Sequence, residues 1–120
     1  MGPLRLAITL FPWAGGEPRV LEARVATGAR YSVVPAPILT ELGCRPIRMQ
    51  AVVLADGRAD EWPLTQIDVE CEGRRMATPV LMGPVEGRVL LGAVTLEELG
   101  FDLDPVTRRL VPVVATVEPG

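Results

Sequence analysis

Leu4, Leu6, Ile8 and Leu10 alternate with more variable positions, the period of two expected of a strand with one buried face. The alternation breaks at Pro12-Trp13-Ala14-Gly15-Gly16, a turn, and resumes at Leu21, Ala23 and Val25. The segment Val25-Ala26-Thr27-Gly28-Ala29 therefore lies on a loop leaving a strand. Beyond it the spacing predicts a short helix from Ile38 to Leu42, stopped by Gly43 at the position where a positive φ is usual. Gln50 to Leu54 and Trp62 to Cys71 read as the arms of a hairpin turning at Ala55-Asp56-Gly57-Arg58. A second turn at Glu72-Gly73-Arg74 leads into Met76, Thr78, Val80 and Met82, and Val89-Leu90-Leu91-Gly92 is a short buried strand. Thr95 to Leu99 reads as a second helix, with Thr95 as N-cap, Glu98 as its capping-box partner and Gly100 as its stop. Strands around Phe101 to Leu103 and Leu110 to Val117 flank a turn at Asp104-Pro105-Val106-Thr107-Arg108.

These elements point to an all-β domain with one or two short helices. At 120 residues the chain has room for one domain, 1–120, with a real core. Its 12 glycines and 12 prolines suit a turn-rich sheet protein, and with only 4% aromatic residues the core must be built from Val, Leu, Ile and Ala. A faint internal echo relates Gly28-Ala29 and Leu39-Thr40-Glu41-Leu42-Gly43 to Gly92-Ala93 and Leu96-Glu97-Glu98-Leu99-Gly100. Taken at face value, it describes two similar halves, each a strand, a glycine loop and a short helix; the unequal spacing leaves chance as the other reading.

Missing residue types narrow the chemistry. The absence of His removes Ser-His-Asp and Cys-His catalysis and the commonest zinc ligand. The absence of Lys removes Schiff-base chemistry and a phosphate-binding P-loop. Ser32, the one serine, has no base beside it in any motif. Cys44 and Cys71 form no Cys-x-x-Cys and sit among apolar neighbours, so they read as two buried free thiols, with a disulfide left open. A net charge of −3 with scattered basic residues offers no footprint for nucleic acid, and Arg74-Arg75 and Arg108-Arg109 read as solvated turn residues. No stretch is long and apolar enough to span a membrane, and no signal-like segment follows Met1, so a cytoplasmic protein is expected.

What remains for catalysis is carboxylates, the two cysteines and the backbone, and here the loop matters. Val25-Ala26-Thr27-Gly28-Ala29 resembles the active-site loop of an aspartic peptidase, apolar-Asp-Thr-Gly-Ala/Ser, with Ala26 at the position of the acid. With a hairpin tipped by Gly57, the apolar-apolar-Gly element Leu90-Leu91-Gly92, the helix after it and Leu99-Gly100-Phe101-Asp102-Leu103-Asp104-Pro105, the order of motifs is that of the retropepsin-like (retroviral-type) aspartic peptidases in their bacterial single-domain form, over about Val20 to Val113. The resemblance implies a closed β-barrel acid-protease fold and a homodimer acting on a peptide or protein substrate, with no cofactor, metal, nucleic acid or membrane. It places Ala26, Thr27 and Gly28 at the catalytic loop, Ala29, Asp56 and Gly57 at the substrate, and Leu90, Leu91 and Gly92 beneath the loop as support.

Each carry-over has a plainer alternative. Thr27 would bond across the two-fold axis to the partner's loop, or satisfy its own turn. Gly28 would let substrate approach, or supply a positive φ. Gly57 with Asp56 would tip a flap, or be an ordinary Asp-Gly hairpin. Trp62 would brace the flap or a substrate pocket, or pack on the core. In this family two carboxylates share one proton, one acting as general base on water and the other donating to the carbonyl oxygen. A methyl group at position 26 can do neither, and two-fold symmetry removes both acids together. Asp56, Asp102 and Asp104 are predicted away from the loop. Three readings follow: a peptidase disabled at Ala26, by intentional substitution or by natural loss; a pseudo-enzyme that binds peptides; and an unrelated small barrel whose Ala-Thr-Gly is a turn.

Overall fold

The computed structural model describes residues 3–119. Strand β1 (Arg5–Phe11) carries the first alternation, and its inward face buries Ile8 and Leu10 almost completely. It pairs antiparallel with β2 (Arg19–Ala26), whose Ala23 is fully buried. β3 (Ser32–Pro35) leads directly into helix α1 (Ala36–Glu41). The hairpin arm β4 (Arg48–Val53) pairs with the first half of the 13-residue β5 (Ala59–Cys71), whose second half pairs with β6 (Arg74–Gly83). The short β7 (Leu90–Gly92) runs into α2 (Ala93–Glu98), and β8 (Phe101–Leu103) pairs with β9 (Leu110–Pro112) in a separate two-stranded sheet.

Six strands close into a mixed barrel in the order β1-β2-β7-β3-β6-β5, with β5 returning to β1 through Leu10↔Val69 and its neighbours. β4 stands outside the ring as an extension of β5. The core inside the ring is aliphatic, as the composition requires: Leu10, Leu39, Ile67, Val69, Val80 and Leu91 are all at most 1% exposed, and Phe101 is the one aromatic side chain in the buried cluster.

Several local expectations change. α1 begins at Ala36 rather than Ile38, because Pro37 falls in the first turn, where no N–H is needed; Gly43, at φ 84°, ends it as expected. Thr95 is not the N-cap of α2. The helix starts two residues earlier at Ala93, its first N–H groups are bonded elsewhere, and the Thr95 hydroxyl is fully buried. The last strand ends at Pro112 instead of Val117: the Val113 N–H makes one further bond, at 2.8 Å, to the carbonyl of its register partner Gly100, and beyond it Val114 and Val117 are exposed.

Arg74 and Arg75 are more than solvated turn residues. Arg74 Nη1 donates to the Leu99 and Gly100 carbonyls at 3.0 Å, closing the end of α2, and its guanidinium lies 4.4 Å from the Phe101 ring centre. Arg75 lies over Phe11 and pairs with Asp68. The internal echo corresponds to two six-residue helices each ended by a left-handed glycine, Gly43 and Gly100, but β3 separates loop from helix in the first copy only. Cys44 and Cys71 are buried free thiols. Among the described residues no helix is long and apolar enough to cross a membrane.

Candidate active-site cleft

β2 and β7 run parallel, with Val25 beside Leu91 and Ala26 beside Gly92. The chain then reverses in a tight turn, the Ala29 N–H donating to the Ala26 carbonyl at 2.9 Å with Thr27 and Gly28 at its corners. The next two carbonyls, of Ala29 and Arg30, accept the Ala93 and Val94 N–H groups, each at 2.9 Å. The loop backbone thus caps α2, which is why no side chain does and why Thr95 is free for another role.

That role is structural. The Ser32 hydroxyl accepts the Gly92 N–H at 2.9 Å and bonds Thr95 Oγ1, which in turn lies 2.9 Å from Thr78 Oγ1; all three hydroxyl side chains are at most 3% exposed. Gly92 tolerates no side chain: a Cβ there would lie 2.5 Å from the carbonyl carbon and oxygen of Tyr31. Leu91, wholly buried, anchors the strand from below, with Leu90 half-buried beside it. Leu90, Leu91 and Gly92 therefore lie directly under the loop, joined to it by close packing and by a buried hydroxyl chain.

The loop's outer face is built differently. Gly28 does not have a positive φ, and a Cβ built on it meets nothing within 4 Å. Neither its backbone nor its neighbours require glycine. Thr27 is exposed, and its hydroxyl makes no hydrogen bond among the described residues, so it does not satisfy its own turn. Ala26 is half-buried at the end of β2.

Above the loop stands the β4–β5 hairpin. Between them lies a cleft of about 420 Å³, reached by Gly28 and Ala29 from one side and by Gln50, Ala51, Val52 and Val53 of β4 from the other. Its walls are largely apolar, with Val33, Val52, Leu81 and the half-buried Trp62 among them. Trp62 thus faces the cleft and is absent from the buried core cluster. Arg30, Tyr31 and Gln50, which the sequence motifs did not single out, also line it. Arg30 and Tyr31 follow the loop directly, so their position next to Ala29 was the available signal.

The hairpin tip has the expected Asp-Gly geometry, with Gly57 at φ 87°. Asp56 and Gly57 themselves stand clear of the cleft, where the turn contributes Leu54 and Ala55. Asp56 is turned onto Arg58, accepting its backbone N–H at 3.0 Å and its Nε at 2.7 Å, and the backbone bond, followed by the guanidinium, holds the carboxyl below the usual range. Asp104 accepts the Val106 and Thr107 N–H groups within its own turn, and those bonds, the Thr107 one foremost, lower its carboxyl likewise. Among the described residues no carboxylate lines the cleft. The described residues also contain no group of three or more His, Cys, Asp or Glu side chains placed to hold a metal.

No family model and no curated protein sequence matches the chain. Among solved structures, the solution structure of simian foamy virus (mac) protease superposes with a TM-score of 0.56 at 20% identity, covering 78% of this chain and 92% of that one. The chain has a retropepsin-like fold, a closed six-stranded mixed barrel with two short helices.

Proposed function

We propose that this chain is one half of a homodimeric aspartic endopeptidase, disabled by Ala26 at the position of the catalytic acid. The observation that carries the reading is the outer face of the Ala26–Ala29 turn. Gly28, which lines a largely apolar cleft of about 420 Å³, is bare although nothing among the described residues requires it to be, and the adjacent exposed Thr27 presents a hydroxyl with no hydrogen bond among the described residues. Both features suit contacts from outside the chain: a substrate backbone passing over Gly28, and the partner's loop meeting Thr27 across a two-fold axis. β4, the last strand in its sheet, leaves one edge for the main chain of an extended peptide.

In the active form an Asp at position 26 from each chain would share a single proton, since two carboxylates about 3 Å apart do not both ionise. One would take a proton from the attacking water while the other donated to the carbonyl oxygen, and Thr27 and the capped loop backbone would hold both in place. As written, the chain supplies a methyl group instead and hydrolyses no peptide; turnover by the purified chain that maps to its own cleft would refute this. An intentional substitution accounts for an otherwise intact Thr27-Gly28-Ala29.

The second reading is a natural pseudo-peptidase that holds peptides without cutting them, and the carboxylate-free cleft favours it. Peptide-library cleavage from acidic to neutral pH by the Ala26→Asp form, with the chain as written as control, separates the two. Cleavage by the Asp form alone supports the peptidase, and a folded, dimeric Asp form that cuts nothing supports the binding module.

A further inference from the structure

The cleft is apolar with a charged end, and the charge has one sign. Arg30 is its one ionised residue, with Tyr31 and Gln50 as polar neighbours. The Arg30 guanidinium carbon lies 5.7 Å from the Tyr31 ring centre, and Arg48 Nη2 reaches the Tyr31 hydroxyl at 3.5 Å while its Nη1 holds Gln50 Oε1. Two guanidiniums therefore bracket one phenol at the mouth of the cleft. Arg5, Arg19, Arg58 and Arg75 each form an ion pair with a carboxylate; among the described residues neither Arg30 nor Arg48 does. The Tyr31 phenol is held below its usual range, by hydrogen bonding with Arg30 first and with Arg48 second, and the positive field of the two guanidiniums acts more weakly in the same direction. The chain as a whole carries −3, so this field opposes the overall charge.

We propose that the cleft selects extended peptides carrying an Asp or Glu side chain next to an apolar one, with Arg30 as the specificity-determining residue. The proposal rests on the peptide-cleft reading above. An incoming carboxylate would reach a planar five-donor group whose close neighbour is the Tyr31 phenol, and no ion pair would have to break, while the neighbouring apolar side chain entered the Val33, Trp62 and Leu81 wall. A basic peptide would meet repulsion with no acid to offset it. The Arg30 carbonyl is tied to the Val94 N–H and the side chain is exposed, so changing the side chain leaves the loop's anchoring in place.

The test compares matched peptides differing only by Glu or Gln beside the scissile bond, cleaved by the Ala26→Asp form with Arg30, Arg30→Gln or Arg30→Glu. With Arg30 the Glu peptide is expected to lead by about tenfold in kcat/KM, the size of a charge-assisted hydrogen bond, with the lead shrinking as salt rises. Arg30→Gln should bring the ratio to about one, and Arg30→Glu should turn the preference toward Lys and Arg. Cleavage with equal rates on both peptides, or a ratio indifferent to Arg30→Gln, overturns the inference and leaves the peptidase reading intact. If nothing is cleaved, the peptidase reading fails, and fluorescence anisotropy of the same two peptides on the chain as written decides the inference. Tighter binding of the Glu peptide that disappears in Arg30→Gln sustains it, and equal or absent binding overturns it.

Discussion

Replacing Ser32 by Ala removes one oxygen from the buried centre of the molecule, and its cost follows from what that oxygen bonds. Ser32 Oγ accepts the Gly92 N–H at 2.9 Å and joins Thr95, and no solvent reaches the group. Ser32→Ala leaves the Gly92 N–H without a partner and breaks the Thr95 link, for a loss of about 2–4 kcal/mol. That is a large share of the roughly 5–15 kcal/mol typical of a domain. Thr95→Val removes two hydroxyl–hydroxyl bonds but keeps the Ser32–Gly92 bond, and should cost less, about 1–2 kcal/mol. Urea unfolding at fixed protein concentration, which holds any dimer contribution constant, gives both values and their coupling in a double-mutant cycle. A Ser32→Ala protein within about 0.5 kcal/mol of the parent, or a Thr95→Val protein that loses more than Ser32→Ala, would refute the claim that the hydroxyl chain fastens the loop to β7.

Further outcomes are expected from the same geometry. Gly92→Ala places a methyl group against the Tyr31 backbone, which cannot move aside as a flexible side chain would, and should cost about 3 kcal/mol or more by the same denaturant assay. Gly28→Ala should do the opposite: stability unchanged, or raised by up to about 1 kcal/mol, but peptide cleavage by the Ala26→Asp form reduced at least about tenfold if substrate passes over that residue. Burial first, and the Glu72 charge second, push the Cys71 thiol up to about 11. A raised thiol pKa means the folded chain keeps a proton that the unfolded chain gives up near pH 9, so stability from this group is complete below about pH 9 and falls as pH rises through 11, by on the order of 2–3 kcal/mol. Urea midpoints between pH 8 and 11 for the parent and Cys71→Ala would show it as a difference in slope, and parallel curves would contradict it.

The strands with a clean period of two, β1 above all, were legible because alternation is a local signal, as were the stops at Gly43 and Gly100 and the Asp-Gly turn at Gly57. Closure of the barrel was not, since the β5–β1 pairing joins Leu10 to Val69 across about half of the chain and leaves no mark on either segment. Both helix starts were misplaced, for different reasons: α1 takes Pro37 into its first turn, a local feature, whereas the start of α2 is set from a distance. The first turn of α2 is capped by carbonyls of Ala29 and Arg30, more than 60 residues away, so no capping residue is written beside it. Val114 and Val117 extend the composition of a strand past Val113, where the pairing with β8 runs out at Gly100. In the cleft, Gly28, Ala29 and the hairpin were found through motif order. Asp56 and Gly57, named with them, do not line the cleft in this chain, and the Arg30, Tyr31, Arg48 and Gln50 group was missed, because only folding brings β4 against the end of the loop.

The central claim is that two copies of the Ala26–Ala29 turn make one site, and a mixing experiment tests it most directly. A constant amount of the Ala26→Asp chain is assayed on a peptide substrate well above KM while the chain as written is added and the subunits exchange. If the dyad spans two chains, random pairing at equal amounts leaves roughly half of the original doubly acidic dimers, and the rate should fall to about half and continue downward as more Ala26 chain is added. A rate that holds constant at every mixing ratio would place the whole site within one chain and contradict the account.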